Sequence, residues 1–325
     1  MKKRVIALMT AVLMLIPLNA CSKEQSTEDT TDKLKIVTTI FPEYDWVRSL
    51  IKGNEDNIDL KMLISSGTDL HSFQPSADDI INISSADIFI YTGGKSDEWV
   101  DDALKEAVNK EMTVLSLLKE LGDAAKEEEI KEGMEHDHEH EEEHELDEHI
   151  WLSVKNASVL CESICDALCE KDPDNSELYR NNLASYQNEL ASLDQKYTDT
   201  VTSAARKTLL FADRFPFRYL TDDYGLDYYA AFSGCSAESE ASFETIVFLA
   251  EKINELKLPY VCQIESSDGG IARTVISASA DKNLKILTFN SLQSVTDKDV
   301  KNGITYLSAM EDNLAVLQEA LHQEN

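Results

Sequence analysis

Between His136 and Leu152 the chain reads HDHEHEEEHELDEHIWL. Five of the seven histidines in this 325-residue chain fall here, namely His136, His138, His140, His144 and His149, and all are interleaved with acids. Neutral imidazole is the commonest protein ligand for zinc, and neighbouring carboxylates raise the local concentration of cations. The stretch therefore reads as a metal-collecting loop. A solvated acidic loop with incidental histidines is the plainer alternative. His140-Glu141-Glu142-Glu143-His144 also satisfies H-E-x-x-H, which in a zinc protease sits on a helix with one buried face. Here every residue from Glu135 to Glu145 is acidic or histidine, so no face could pack against a core, and the protease reading is set aside. His149 is different. It stands where the acid run meets Ile150-Trp151-Leu152, so it alone among the five is expected to be held rigidly.

The length suffices for two ordinary domains with cores of their own. A net charge of -31 argues against nucleic acid or an anionic membrane surface as partner. Residues 123–149 contribute -12 of that charge, from fourteen acids against Lys126 and Lys131. At the other end, Lys2, Lys3 and Arg4 precede an apolar run from Val5 to Leu18, too short for a comfortable membrane span. The run closes on Leu18-Asn19-Ala20-Cys21, which resembles a bacterial lipobox, and Ser22 to Asp32 then reads as a flexible tether. The expectation is an export leader over 1–21, a lipidated Cys21, and a protein anchored by lipid on the outer face of a cell membrane.

Cys161, Cys165 and Cys169 fall at four-residue intervals on one helix face. They read as small buried side chains rather than metal ligands. Cys235 and Cys262 could pair in an oxidising compartment or remain separate.

These groups must be positioned by regular elements. Strands are expected at Leu34–Ile40, Asp59–Ile64, Asp87–Tyr91 and Met112–Leu115. Helices should lie over Tyr44–Ile51, after Pro75, and over Asp97–Val108, with Gly- or Ser-marked turns between. This alternation argues for a parallel α/β sheet. After the acid loop, Val154–Cys169 reads as a helix. Tyr179, Leu183, Tyr186, Leu190, Leu193, Tyr197 and Val201 then form one apolar stripe, predicting a long helix from about Ser176 to Arg206. The rhythm resumes with strands at Thr208–Ala212, Tyr228–Phe232, Tyr260–Ile264 and Lys285–Phe289. Helices are placed near Arg214–Tyr224, Phe243–Lys257, Ile271–Ser279 and Gly303–Leu321. The fold class is α/β: two lobes, each a mainly parallel sheet flanked by helices, bridged by one long rigid helix. The lobes are assigned to 33–170 and 208–325, and the bridge to 171–207. Ligands of such sheets bind beyond the carboxyl ends of the strands. That rule singles out His71, Ala212-Asp213, Gly234-Cys235 and Glu265.

Gly67-Thr68-Asp69-Leu70-His71-Ser72-Phe73-Gln74-Pro75 and Asp147-Glu148-His149-Ile150-Trp151-Leu152-Ser153, together with Ala86-Asp87, Gly93-Gly94 and Glu98-Trp99, carry a specific resemblance. Over roughly 33–323 the chain resembles the substrate-binding lipoproteins of zinc and manganese ABC transporters, the cluster A-I solute-binding proteins. The resemblance implies two α/β lobes, a rigid connecting helix and one metal ion between the lobes. It implies His71 and His149 as ligands from the first lobe and Glu265 as a carboxylate ligand from the second. It also implies a carrier rather than an enzyme, working as a monomer with a membrane permease and its ATPase.

One implied ligand is missing. The family places histidine, or an acid in some manganese binders, directly after the strand ending Leu210-Phe211, where this chain has Ala212. Asp213, Cys235 or a water could take its place. Cys235 is preferred, and its soft thiolate would favour zinc over manganese. Zn2+ is therefore the expected ion. A manganese or iron carrier, or a surface adhesin stabilised by metal, are the alternatives.

Overall fold

The computed structural model describes residues 33–135, 145–236 and 240–322. The expected leader with Cys21, and the loop histidines His136, His138, His140 and His144, lie outside these residues.

The first half contains β1 (Leu34–Thr38), α1 (Phe41–Leu50), β2 (Ile58–Met62), α2 (Ala77–Ser84), β3 (Ile88–Tyr91), α3 (Val100–Lys105), β4 (Thr113–Ser116) and α4 (Leu117–Leu121). The connecting helices are α5 (Val154–Lys171) and α6 (Ser176–Ser203). The second half contains β5 (Thr208–Phe215), α7 (Arg218–Tyr224), β6 (Asp227–Ser233), α8 (Phe243–Leu256), β7 (Tyr260–Ile264), α9 (Gly270–Ala278), β8 (Lys285–Phe289), α10 (Asp297–Lys301) and α11 (Tyr306–His322).

Each half builds one four-stranded parallel sheet, in the order β2-β1-β3-β4 and then β6-β5-β7-β8. The two orders are the same topology repeated. The chain reverses its direction of travel between β1 and β3, and again between β5 and β7. A parallel α/β sheet opens a crevice at such switch points, beyond the carboxyl ends of the central strands. Strand β3 has all four of its residues buried. Continuous apolar burial of this kind is what a central parallel strand needs, because helices cover both faces.

Helix α6 spans 28 residues, about 42 Å at 1.5 Å per residue. All seven apolar residues of the expected stripe are buried. Near its start, Asn182 donates to the carbonyl of Leu50 at the end of α1. Near its end, the Tyr197 hydroxyl donates to the carbonyl of Met310 in α11 at 2.7 Å. The same helix thus packs on both lobes. Further ties cross between them: Trp151 Nε1 donates to the Ser291 carbonyl at 2.8 Å, and the amide of Tyr306 donates to the buried Asp45 carboxylate at 2.7 Å. Among the described residues, no helix is long and apolar enough to cross a membrane.

Several boundaries differ from expectation for identifiable reasons. The strand expected to stop at Ala212 continues to Phe215, and α7 starts at Arg218 rather than Arg214. Its register against β6 shifts between Phe211 and Arg214. At that irregularity the Asp213 carboxylate accepts the amide of Ile264 in β7, standing in for a backbone acceptor of the ladder. The helix expected over 97–108 is confined to α3, because Asp97 turns inward to accept the amide of Gly93 at 2.9 Å. The C-terminal helix begins at Tyr306, since Gly303 takes the left-handed φ of 98° and separates it from α10. All five described cysteines are free, including Cys235 and Cys262.

The α6 stripe should carry real stability. Replacing Leu190, 1% exposed, by alanine is expected to cost about 2–5 kcal/mol in urea denaturation. Replacing the adjacent exposed Glu189 should change it by less than about 0.5 kcal/mol.

Candidate metal centre

His71 sits in a single 3-10 turn, Leu70–Ser72, on the long connection after β2. Asp69 caps this turn, accepting the His71 amide at 3.0 Å, and also pairs with Arg214 of β5 in the opposite lobe. On the other face of His71, the Ser96 hydroxyl lies 2.7 Å from Nδ1. Glu148 Oε2 stands 3.5 Å from the same nitrogen.

His149 leads into a second 3-10 turn, Ile150–Leu152, and is 0% exposed. One oxygen of Asp147 accepts both the His149 amide at 2.8 Å and Nδ1 at 2.9 Å. A carboxylate can only accept, so this bond places a ring proton on Nδ1 and makes Nε2 the nitrogen available to a metal. The two Nε2 atoms, of His71 and His149, converge to 3.2 Å. Two ligands about 2.05 Å from one tetrahedral zinc stand about 3.3 Å apart, so this separation fits a shared ion.

Cys235 approaches from the second lobe, in the turn after β6. Its sulfur and the imidazole nitrogens of His71 and His149 all lie within 4.8 Å of one another. Two ligands of one zinc, one sulfur and one nitrogen, span about 3.6 Å, so sulfur reaches the ion with at most a small inward shift. Gly234 makes the approach possible. A Cβ there would stand 2.9 Å from both His149 Cε1 and the Phe215 carbonyl oxygen. The amide of Cys235 donates to Glu128 at 2.8 Å. Glu128 belongs to a strap, residues 126–135, that leaves the first lobe and lies along the edge of the second sheet. Tyr228 donates to Glu129, Lys131 pairs with Asp227, Thr245 donates to the Gly133 carbonyl, and Glu135 donates its amide to Ala231. The strap returns through an antiparallel bridge between Glu127 and Leu146, which closes the root of the acidic loop directly before His149.

Electrostatics suit a cation. Burial, and then the neighbouring His149, push the pKa of His71 down to about 3, so its imidazole is neutral at physiological pH. Burial, with Glu128, Asp147 and Glu148 adding to it, pushes the Cys235 thiol well above its usual range. A metal ion must therefore displace the thiol proton when it takes the sulfur as ligand. The first lobe also buries Glu43 and Asp97. Burial and the charge of Asp97 raise Glu43 to about 8, while burial and the charge of Glu148 raise Asp97 to about 7.

Of the residues singled out in the sequence, His71, His149 and Cys235 are brought together. Glu265 is not part of this cluster: its carboxylate accepts the Ser291 amide and the hydroxyls of Ser291 and Ser294, all at 2.7–2.8 Å. Ala212 is fully buried in β5, and Asp213 serves the strand ladder rather than a helix cap. Sequence reasoning missed Glu128, Ser96 and Glu148 as partners of the site. Only Glu148 had a signal, its place inside the Asp147–His149 motif.

Fold and cluster together define a two-lobed α/β protein with a candidate metal site of two histidines and a cysteine. Residues 36–320 match the family model described as "ZnuA: Zinc-uptake complex component A periplasmic", and the chain belongs to this family. It is 35% identical over 329 residues to the zinc-binding lipoprotein AdcA of Streptococcus pneumoniae (strain ATCC BAA-255 / R6), covering all of this chain and 62% of that protein. The chain thus spans about three fifths of the length of the AdcA relatives it matches. It is 30% identical over 308 residues to the high-affinity zinc uptake system protein ZnuA of Bacillus subtilis (strain 168), covering 92% of this chain and 91% of that one. The crystal structure of the Zn(II)-bound ZnuA-like domain of S. pneumoniae AdcA superposes with a TM-score of 0.70 at 30% identity, over 90% of this chain and 100% of that one.

The buried acids generate a pH prediction. An acid with a raised folded-state pKa favours folding most where both states are protonated. That advantage is lost as pH rises, until the folded group also ionises. With Glu43 at about 8 and Asp97 at about 7, the metal-free protein is expected to lose thermal stability between pH ~6.5 and ~8. This window lies above the one in which protonation of His71 in the unfolded chain opposes folding. Glu43→Gln should flatten the slope, as read by calorimetric unfolding across that range.

Proposed function

We propose that this protein captures a zinc ion between its lobes, with His71, His149 and Cys235 as ligands, and delivers it to a membrane permease driven by an ATPase. The observation that carries the reading is the convergence of two Nε2 atoms at 3.2 Å with the Cys235 sulfur beside them. Two neutral imidazoles and one thiolate leave a bound Zn2+ with a net charge near +1, tolerable in a buried site lined by Asp147 and Glu148. The fourth position goes to water or to Glu265, which would first release Ser291 and Ser294. Thiolate and imidazole favour zinc, whereas manganese prefers oxygen donors, so this donor set supports a zinc carrier over a manganese carrier.

Membership in a periplasmic zinc-uptake family supports work outside the cytoplasm, and the lipobox-like Leu18-Asn19-Ala20-Cys21 supports anchorage through lipidated Cys21. The chain acts as a carrier and not an enzyme, as a monomer that docks on its permease. His136, His138, His140 and His144 collect ions weakly. Their loop opens beside β6 at Glu135, and the Glu127–Leu146 bridge closes its root three residues before His149.

Titration calorimetry of zinc into the tag-free, metal-stripped protein should show one tight site. His149→Ala and Cys235→Ala are each expected to weaken it by about a hundredfold or more, beyond the range seen when outer partners of metal ligands are removed. In the cobalt-substituted protein, the sulfur-to-metal charge-transfer absorption should vanish in Cys235→Ala. An affinity indifferent to His149→Ala would overturn the reading. Deleting residues 136–144 should lower the number of weakly bound ions and leave the tight one, as counted by equilibrium dialysis.

A further inference from the structure

Two short stretches run side by side at the root of the acidic loop. Glu127 and Leu146 form an antiparallel bridge there. The amide of Glu128 donates to the Glu145 carbonyl at 2.8 Å, and the amide of Asp147 donates to the Lys126 carbonyl at 2.8 Å. Residues 126–128 and 145–147 are thus a short two-stranded ribbon. Directly opposed residues of an antiparallel pair share a face, and so do residues two apart in one strand. Lys126, Glu128, Glu145 and Asp147 therefore share one face of the ribbon. Two of these four reach the candidate centre. Asp147 accepts the amide and Nδ1 of His149 at 2.8 and 2.9 Å. Glu128 accepts the amide of Cys235 at 2.8 Å. The other two fasten the ribbon on either side, Glu145 to Lys95 of the first lobe and Lys126 to Asp222 of the second. A buried hydroxyl locks the strands together. Tyr219 of α7, 1% exposed, accepts the Lys126 amide at 2.9 Å and donates to the Asp147 carbonyl at 2.9 Å.

We propose that this ribbon sets the spacing between the ligands of the two lobes, with Glu128 as the positioning residue of Cys235. One strand carries the acid that holds His149, and the other carries the acid that holds the cysteine turn. Glu128 bonds the amide of Cys235, so it places that residue through the backbone and leaves the sulfur for the ion. On the other side of the turn, Gly234 packs where a Cβ would stand 2.9 Å from His149 Cε1, so the turn has no room to move closer. Because Glu128 and Asp147 belong to one ribbon, withdrawal of the turn from His149 must break the bond to Glu128. Without that bond the turn has to be ordered as the ion binds, and affinity falls.

Cys235 is a ligand only in the zinc-site reading, on which the proposal rests. Zinc affinity is measured on the tag-free, metal-stripped protein by competition with a chelator. Glu128→Ala should bind zinc about 10–100-fold more weakly, the usual range for loss of an outer partner of a ligand. Glu128→Gln removes the charge but keeps an acceptor oxygen, and should restore affinity to within about threefold of the parent. Glu128 acts only through Cys235. In the weaker site left by Cys235→Ala, adding Glu128→Ala should therefore cost less than about twofold. In the cobalt-substituted protein, the sulfur-to-metal absorption per bound cobalt should drop in Glu128→Ala and return in Glu128→Gln.

An affinity of Glu128→Ala within about twofold of the parent would overturn the proposal. So would a Glu128→Gln variant as weak as Glu128→Ala, which would make charge and not position the cause. An undiminished loss in the Cys235→Ala background would overturn it too. If Glu128→Ala does not fold, Glu128→Asp, one methylene short with its charge kept, decides by the same thresholds. Failure of the underlying reading shows separately, as a parent protein that binds no zinc or whose zinc site is indifferent to Cys235→Ala.

Discussion

His149 carries no solvent exposure, and the orientation of its ring is set by one carboxylate oxygen that receives both its amide and its Nδ1–H. Its Nε2 stands 3.2 Å from that of His71, a separation that suits two ligands of one shared cation. Much of the surrounding structure serves this constraint. Trp151, two residues on, stacks at a tilt against the His149 ring with centroids 5.2 Å apart. Its indole donates across to the second lobe, and Tyr306 donates back to its carbonyl at 2.7 Å. The turn that follows His149 is therefore pinned on both sides.

The second lobe reaches the centre by contacts that are mostly polar. Arg214 pairs with the residue that caps the His71 turn, Gly234 admits the edge of the His149 ring, and the strap from Lys126 to Glu135 holds the turn bearing Cys235. Exposed ion pairs contribute little each, but several of these groups are partly buried and share partners, so they act as a network. The rigid element is α6, whose buried stripe is continuous from Tyr179 to Val201. In the carrier role proposed above, the apolar burial along α6 would keep the frame while the polar contacts join the lobes.

Ala212 lies within β5 and Cys235 just after the neighbouring β6, and of the two only Cys235 stands by the histidine pair. The irregularity in β5 buries Ala212 fully and commits Asp213 to the ladder with β7. Neither belongs to the cluster of His71, His149 and Cys235. The next strand of the sheet, β6, ends one turn later at Gly234-Cys235, and this edge stands over the histidine pair. In the zinc-carrier reading proposed above, the Cys235 thiolate at the end of the neighbouring strand would replace the ligand that the resemblance implies after β5.

Alternation of short β-rich runs with amphipathic stretches sufficed for two parallel sheets and a long spine, because strand and helix periodicities are local properties. The G-x-D-x-H and D-x-H-x-W stretches likewise marked His71 and His149, since the amide of each is held by an acid two residues before it, Asp69 and Asp147. Contacts between distant segments were decided only by the tertiary structure. Nothing near Ser96 in the chain shows that its hydroxyl would meet His71 Nδ1, or that Glu128 would hold Cys235 across a lobe boundary. Glu265, well placed by its strand, is claimed by Ser291 and Ser294 from a loop 26 to 29 residues further on. Residue type and spacing set which groups can bind a metal. Which of them meet is set by how two sheets pack on one helix, an arrangement held by burial summed over the whole chain rather than by any local stretch of it.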